Sequence, residues 1–242
     1  MPNHRYEQLG GGISVCISDT HTFGTDAILL GHFAASFGKA QKGCDLGCGC
    51  GIIPLLLYRL GACTHLTGVD IQPEAVEQFR LSVKQSGAEE HITPLTVDLR
   101  KLKGALDGSS FDLVTCNPPY KPEGTGVQSD NQARMTARFE GSCTLGDVCA
   151  SAARLLRPGG KFVLCHRPER LCDVLEEMRK HKLEPKALRF AAAKQGDRPW
   201  LVLVMAQKGG KPFLQVLPQF VTMENGTYSR EYREIYGEVY PQ

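Results

Sequence analysis

Seven residues constrain this chain more than any other stretch: Asp45-Leu46-Gly47-Cys48-Gly49-Cys50-Gly51. Three alternating glycines disfavour helix and strand alike, so the run marks a tight turn. A short strand is expected before it, ending at Asp45-Leu46. An apolar helix is expected after it, from about Ile52 to Leu60. A turn from strand to helix begins a βαβ unit. The spacing is G-x-G-x-G behind an acid, not the dinucleotide G-x-G-x-x-G, and it offers no obvious cradle for a pyrophosphate. A plain βα turn explains the glycines equally well if nothing else joins them.

The rest of the chain continues the alternation. Ile13, Val15 and Ile17 predict an early strand, and Thr25 or Asp26 can cap a helix through AILLGHFAASF. Strands are expected at HLTGVD, HITPLTV and FDLVTC, with a helix over Pro73 to Gln85 between the first two. A long polar segment, about Asn117 to Cys143, follows. A helix through Leu145 to Leu156 then stops at Arg157-Pro158-Gly159-Gly160, read as a turn before the strand KFVLCH. A helix over Pro168 to Lys180 and strands near Ala187 and from Trp200 to Met205 complete the set. This pattern predicts an α/β fold, an open, mostly parallel sheet with helices on both faces. Residues 1–207 are expected to form one domain, with 1–40 as its N-terminal extension. Residues 208–242 are expected to be an extended tail packed on it.

Charge narrows the function classes little: 28 basic against 26 acidic residues leave a net +2, so no global pull toward nucleic acid is expected. Basic residues such as Lys180, Lys182, Lys194, Arg198, Lys208 and Lys211 can meet phosphates, although most such charges are simply solvated. The opening residues lack the apolar core of a secretory leader, and no apolar stretch is long enough to span a bilayer. A cytoplasmic protein is expected. Ten scattered cysteines include no C-x-x-C pair, so no metal site is expected. Cys44, Cys48 and Cys50 read as small buried apolar side chains.

Two more acids change the weight of the glycine loop. Asp70 ends the next strand, where an acid can hold both ribose hydroxyls, and Asp98 follows the third, where a carboxylate can accept from an adenine amine. Each alone is ordinarily a cap or a solvated loop residue. Three acids at successive strand ends beside Gly47, Gly49 and Gly51 suit a nucleoside without phosphates, carried on an amino acid. From about Phe23 to Gln207 the chain resembles the class I S-adenosylmethionine (SAM)-dependent methyltransferases, Rossmann-like proteins with seven strands. The resemblance implies SAM as cofactor, its methionine part on the glycine loop. It implies its adenosine over the strand ends at Asp70-Ile71 and Asp98-Leu99.

Asn117-Pro118-Pro119-Tyr120 directly follows the fourth of these strands. A conjugated amine is a poor nucleophile because its lone pair is delocalised. The Asn117 side-chain oxygen and the Pro118 carbonyl can each accept one N–H and so aim that lone pair at a methyl donor. Pro118 and Pro119 stiffen the wall, and Tyr120 can stack on a flat target. No strong base is needed, because the amine becomes acidic on methylation; rate comes from positioning and electrostatics. The motif resembles the NPPY of amino-methyltransferases acting on adenine, guanine or glutamine nitrogens.

The order FGTDAILLGHFA, NPPY, RMTARFE, LLRPGGKFVLCHRPERL and the tail GGKPFLQVLPQFVTMENGTYSREYREIYG resembles the bacterial tRNA(Val) adenine-37 N6-methyltransferases, particularly their Gram-positive branch. That likeness implies a tRNA substrate. It places Thr25, Asp26 and Asn117 near SAM, and Tyr120, Lys121, Arg134 and Arg138 at the substrate. Phe139 departs from the family, which usually carries His there. Two alternatives stay open. A protein glutamine methyltransferase uses the same NPPY but carries a helical domain before its glycine loop, and only 44 residues precede Asp45 here. A non-catalytic SAM-binding partner subunit tends to lose the catalytic loop, which is intact. Oligomeric state is not legible in the sequence.

Overall fold

The computed structural model describes residues 4–118 and 143–239. It opens with a hairpin, β1 (Arg5–Gly10) paired antiparallel with β2 (Ile13–Ile17). Helix and strand then alternate: α1 (Thr25–Ala35), β3 (Ala40–Leu46), α2 (Ile52–Arg59), β4 (Cys63–Asp70), α3 (Pro73–Gln85), β5 (Ile92–Thr96) and β6 (Phe111–Cys116). After the long segment come α4 (Leu145–Leu155), β7 (Leu156–His166), α5 (Leu171–Lys180), β8 (Leu183–Ala192) and β9 (Leu201–Lys208).

Seven strands make the central sheet, in the order β8-β9-β7-β6-β3-β4-β5. β3 to β7 run parallel, and β9 is antiparallel to both its neighbours. Two short strands, β10 (Gln215–Val216) and β11 (Phe220–Val221), extend the outer edge of β8. Side chains alternate between two cores, as the two-residue period of a strand requires. Along β7, Val163 and Cys165 join the core of α1, α2 and α3, whereas Phe162 and Leu164 join that of α4 and α5.

The N-terminal strand is buried on both sides, although its alternation predicts only one apolar face. The cause lies in α3. Ser82 and Ser86, one helical turn apart, accept from the backbone N–H groups of Cys16 (2.8 Å) and Ser14 (3.0 Å). Gln78 Nε2 donates to the Cys16 carbonyl at 3.0 Å. A ladder of side chains thus replaces a neighbouring strand and satisfies the open edge.

Three local expectations are corrected. The cap of α1 is Gly24, with no side-chain cap bond, so Thr25 and Asp26 lie inside the first turn. A Cβ on Gly24 would stand 2.7 Å from Asp26 Oδ1, so glycine leaves room for that carboxylate. Arg157 to Gly160 form no separate turn; β7 begins at Leu156. The pairing with β6 slips from Phe111↔Leu156 to Leu113↔Lys161, so these residues make a bulge inside the strand. The C-terminal segment is not simply extended either. It holds a hairpin of β12 (Met223–Glu224) and β13 (Thr227–Tyr228), then helix α6 (Arg230–Val239). Arg189 of β8 grips this segment, donating to both Glu231 oxygens at 2.6 Å and to the Pro218 carbonyl at 2.9 Å.

Candidate active site

The carboxyl ends of β3, β4 and β6 bring the predicted residues together. Leu46 pairs with Val69, so Gly47 leaves β3 beside Asp70 at the end of β4. Gly47 and Cys48 both donate to the Val69 carbonyl, at 2.8 and 3.0 Å, which folds the loop back over the sheet. Asp70 completes that fold. Its Oδ2 accepts from the Gly49 N–H at 3.0 Å and its Oδ1 from the Gln72 N–H at 2.9 Å. The carboxylate therefore ties the glycine loop to the start of α3.

The glycines divide into two roles. Gly49 has φ +53°, and a Cβ there would meet nothing within 4 Å, so its face is open to a ligand. Gly51 is buried and caps α2 with φ +86°; a Cβ there would fall 1.9 Å from the Phe79 ring. Its hydrogen is required by packing against α3, and its place is beneath the loop. Cys44, Cys48 and Cys50 are buried, as expected of small apolar side chains.

Asp45 is 1% exposed and pairs across to Thr115, whose hydroxyl donates to Oδ1 at 2.6 Å. Its other oxygen is buried and has no hydrogen-bond partner. Burial pushes this carboxyl up to about 7, against the pull of Thr115 and with a contribution from nearby Asp70. The unmet oxygen is a buried acceptor, whose cost a hydrogen-bond donor reaching it would relieve.

Beside the loop lies a shallow, open cleft lined by Gly47, Asp70, Ile71, Asp98 and Leu99, all predicted, together with Arg100 and Cys143. Ile71 is 53% exposed, an apolar surface at its rim. Asp98 caps a short turn, and its carboxylate is already engaged. Arg100 reaches it through Nε (2.9 and 3.1 Å), Nη2 (2.6 Å) and its backbone N–H (2.9 Å). The Arg100 side chain holds the Asp98 carboxyl below the usual carboxylate range. Asp98 is thus less available to a ligand than its position at the strand end suggests. A basic residue two places after the acid was the signal for this pairing.

Asn117 stands one residue past β6. Cys116 pairs with Leu164, so Asn117 falls opposite Cys165 of β7. The Cys165 thiol donates to Asn117 Oδ1 at 3.0 Å, and Asn117 Nδ2 donates to Asp26 Oδ2 at 3.1 Å. A carboxylate only accepts, so Asp26 fixes which end of the amide is nitrogen. Burial pushes the Cys165 thiol well up, which keeps its proton available for donation. Both contacts escape a linear reading, because they join residues 91 and 48 positions apart. Thr25 lies beside Asp26 and against the Tyr236 hydroxyl. Pro118 is buried. Pro119, Tyr120, Lys121, Arg134, Arg138 and Phe139 lie outside the described residues.

Of the basic residues expected to meet phosphate, three are engaged within the chain. Lys180 pairs with Glu176 and Glu177, Arg198 pairs with Glu169, and Lys208 donates to the Leu156 carbonyl. Among the described residues, no helix is long and apolar enough to cross a membrane.

Comparison with known proteins bears on the family and the fold. Residues 19–183 match the family model described as methyltransferase small domain. The chain is 28% identical over 225 residues to a tRNA1(Val) (adenine(37)-N6)-methyltransferase of Yersinia enterocolitica, covering 90% of this chain and 85% of that one. It is 33% identical over 142 residues to a protein of the same name from Tolumonas auensis, covering 58% and 57%. Among solved structures, a predicted O-methyltransferase from Agrobacterium tumefaciens superimposes with a TM-score of 0.69 at 19% identity, over 88% of this chain and 96% of that one. A 16S rRNA N2 G1207 methyltransferase from T. thermophilus, solved with AdoMet and guanosine, gives 0.54 at 19% identity, over 85% and 50%. At such identities these two carry the fold alone.

Proposed function

The chain belongs to the methyltransferase small domain family, and on that premise we propose that it methylates adenine N6 beside the anticodon of a valine tRNA, with SAM as methyl donor. The relatives that span most of this chain carry that name. Such a substrate places the reaction in the cytoplasm.

The site residues fit SAM. The buried Asp45 oxygen without a partner would take a donor, the open face of Gly49 leaves room for a ligand beside the backbone, and the cleft beside Asp70 and Ile71 would receive the nucleoside. Asp70 would hold the ribose, and Ile71 and Leu99 would flank the adenine. Thr25, Asp26 and Asn117 would face the methionine end. When bound, SAM supplies an electrophilic methyl on a sulfonium sulfur.

The single observation that carries the chemistry is the Asn117 amide, held from both sides by Asp26 and Cys165. Its oxygen has two lone pairs, of which Cys165 takes one. The other would accept one N–H of the adenine amine, and the Pro118 carbonyl the second. Held so, the amine presents its lone pair in one direction, and the amide does not have to reorganise during transfer. The proton is lost after methylation, when the nitrogen has become acidic, to water or buffer. Tyr120 would stack on the base, and Lys121, Arg134 and Arg138 would meet the RNA.

The test is transfer from tritiated SAM to two acceptors, total tRNA and a release-factor protein. Label in tRNA supports this reading. Label confined to protein glutamine would replace it.

A further inference from the structure

Three tyrosines form a continuous stack that starts beside the candidate active site and runs out to the surface. Tyr228 lies on Tyr232 with ring centroids 4.5 Å apart and planes 13° apart; Tyr232 lies on Tyr236 at 4.3 Å and 14°. Tyr232 and Tyr236 are one helical turn apart on α6, so the helix sets their spacing, and Tyr228 at the end of β13 adds the third ring just before the helix starts. The inner rung, Tyr236, meets the Thr25 side chain, next to the Asp26 that holds Asn117. The outer rung, Tyr228, is 52% exposed.

This stack is fixed in place. Ser229 is buried; its hydroxyl donates to the Val221 carbonyl at 2.6 Å and accepts from the Tyr232 N–H at 3.1 Å. One residue before Tyr232, Glu231 takes both arms of Arg189. Filling a core would bury the outer ring, and a purely solvated tyrosine would need no such mooring. One face of Tyr228 is covered by Tyr232, so its exposure lies on the other face and the edges. A flat, rigid, half-open aromatic plane accepts another flat ring.

We propose that Tyr228 is a stacking platform for an unpaired base of the RNA near the adenine that enters at Asn117. The inference rests on the tRNA reading, since a strand with one base at Asn117 offers further flat rings along the path that the tyrosines mark. Stacking is sequence-tolerant, so the platform grips the loop without reading it, and the target base is selected elsewhere. The contact is not ionic, so it adds nothing to the salt dependence of binding.

The experiment uses the full-length protein and a synthetic anticodon stem-loop carrying 2-aminopurine beside the target adenine. Affinity is read from the fluorescence change for wild type, Tyr228→Leu and Tyr228→Trp, with SAM affinity and thermal melting measured in parallel. Leucine keeps an apolar cover over Tyr232 and removes the flat ring. Its binding should weaken about tenfold, with a matching rise in KM for RNA and little change in kcat. Tryptophan should restore binding and quenching. A folded Tyr228→Leu protein that binds the stem-loop as tightly as wild type overturns the platform while leaving the tRNA reading intact. Wild type that binds no stem-loop overturns both.

Discussion

Asn117 Nδ2 donates to Asp26 Oδ2 at 3.1 Å, joining the end of β6 to the first turn of α1. From the opposite side the Cys165 thiol donates to Asn117 Oδ1 at 3.0 Å. The residue assigned to orient the amine is itself oriented by two side chains from other elements.

Removing either partner should lower turnover. Cys165→Ala takes away one neutral hydrogen bond, a net effect of about 0.5–1.5 kcal/mol, so kcat should fall roughly two- to tenfold. Cys165→Ser keeps a donor and should recover most of the loss, with SAM affinity unchanged in both. Steady-state kinetics that gave Cys165→Ala the turnover of wild type would remove the thiol from the account.

Asp70 and Asp98 should separate in SAM binding. Asp70→Ala should cost about 1.5–3 kcal/mol of affinity, the scale of hydrogen bonds to a charged group. Asp98→Ala should cost less, because Arg100 already occupies both its oxygens. Asp70→Ala should also melt earlier, since Asp70 ties Gly49 to Gln72. Calorimetry showing the larger loss at Asp98 would reverse these assignments.

Asp45 gives the ligand-free protein a pH signature. Its carboxyl sits at about 7 when folded, above the ordinary 3.8, so between these values the folded chain keeps a proton that the unfolded chain has lost. Asp45 therefore subtracts stability as pH rises through that window, and the penalty is complete above it. Asp45→Asn keeps the acceptor for Thr115 and never ionises. Its Tm should exceed that of wild type at about pH 8 and converge with it near about pH 4, moving about 2–4 °C per kcal/mol recovered. Scanning calorimetry showing no gain at the higher pH would contradict the burial of this charge.

Much of the site was legible because it depends on chain order. A glycine turn after β3 and acids at the ends of β4 and β5 become neighbours in any parallel sheet of this order. Asn117-Pro118 at the end of β6 joins them for the same reason. Cys165 was hidden because its meeting with Asn117 depends on the β6–β7 register, which the bulge at Arg157 to Gly160 resets. Asp98 read as available because Arg100, two residues on, signals a partner only once the short turn folds it back onto the carboxylate. Helix α6 was masked by Gly209, Gly210, Pro212 and Pro218 upstream of it. The Asn225-Gly226 turn, with φ +50° and +80°, was a readable hairpin signal that marked its start.

The central claim is that Asn117 directs methyl transfer to adenine N6 of tRNA. The most direct measurement is nucleoside mass spectrometry of valine tRNA from a strain lacking this protein, incubated with SAM and either wild type or Asn117→Ala. Wild type should add N6-methyladenosine beside the anticodon. Asn117→Ala should add little while retaining most of its SAM affinity, because the lost contact is made to the reacting amine. Equal N6-methyladenosine from both proteins, or none from a wild type that binds SAM, would contradict the account.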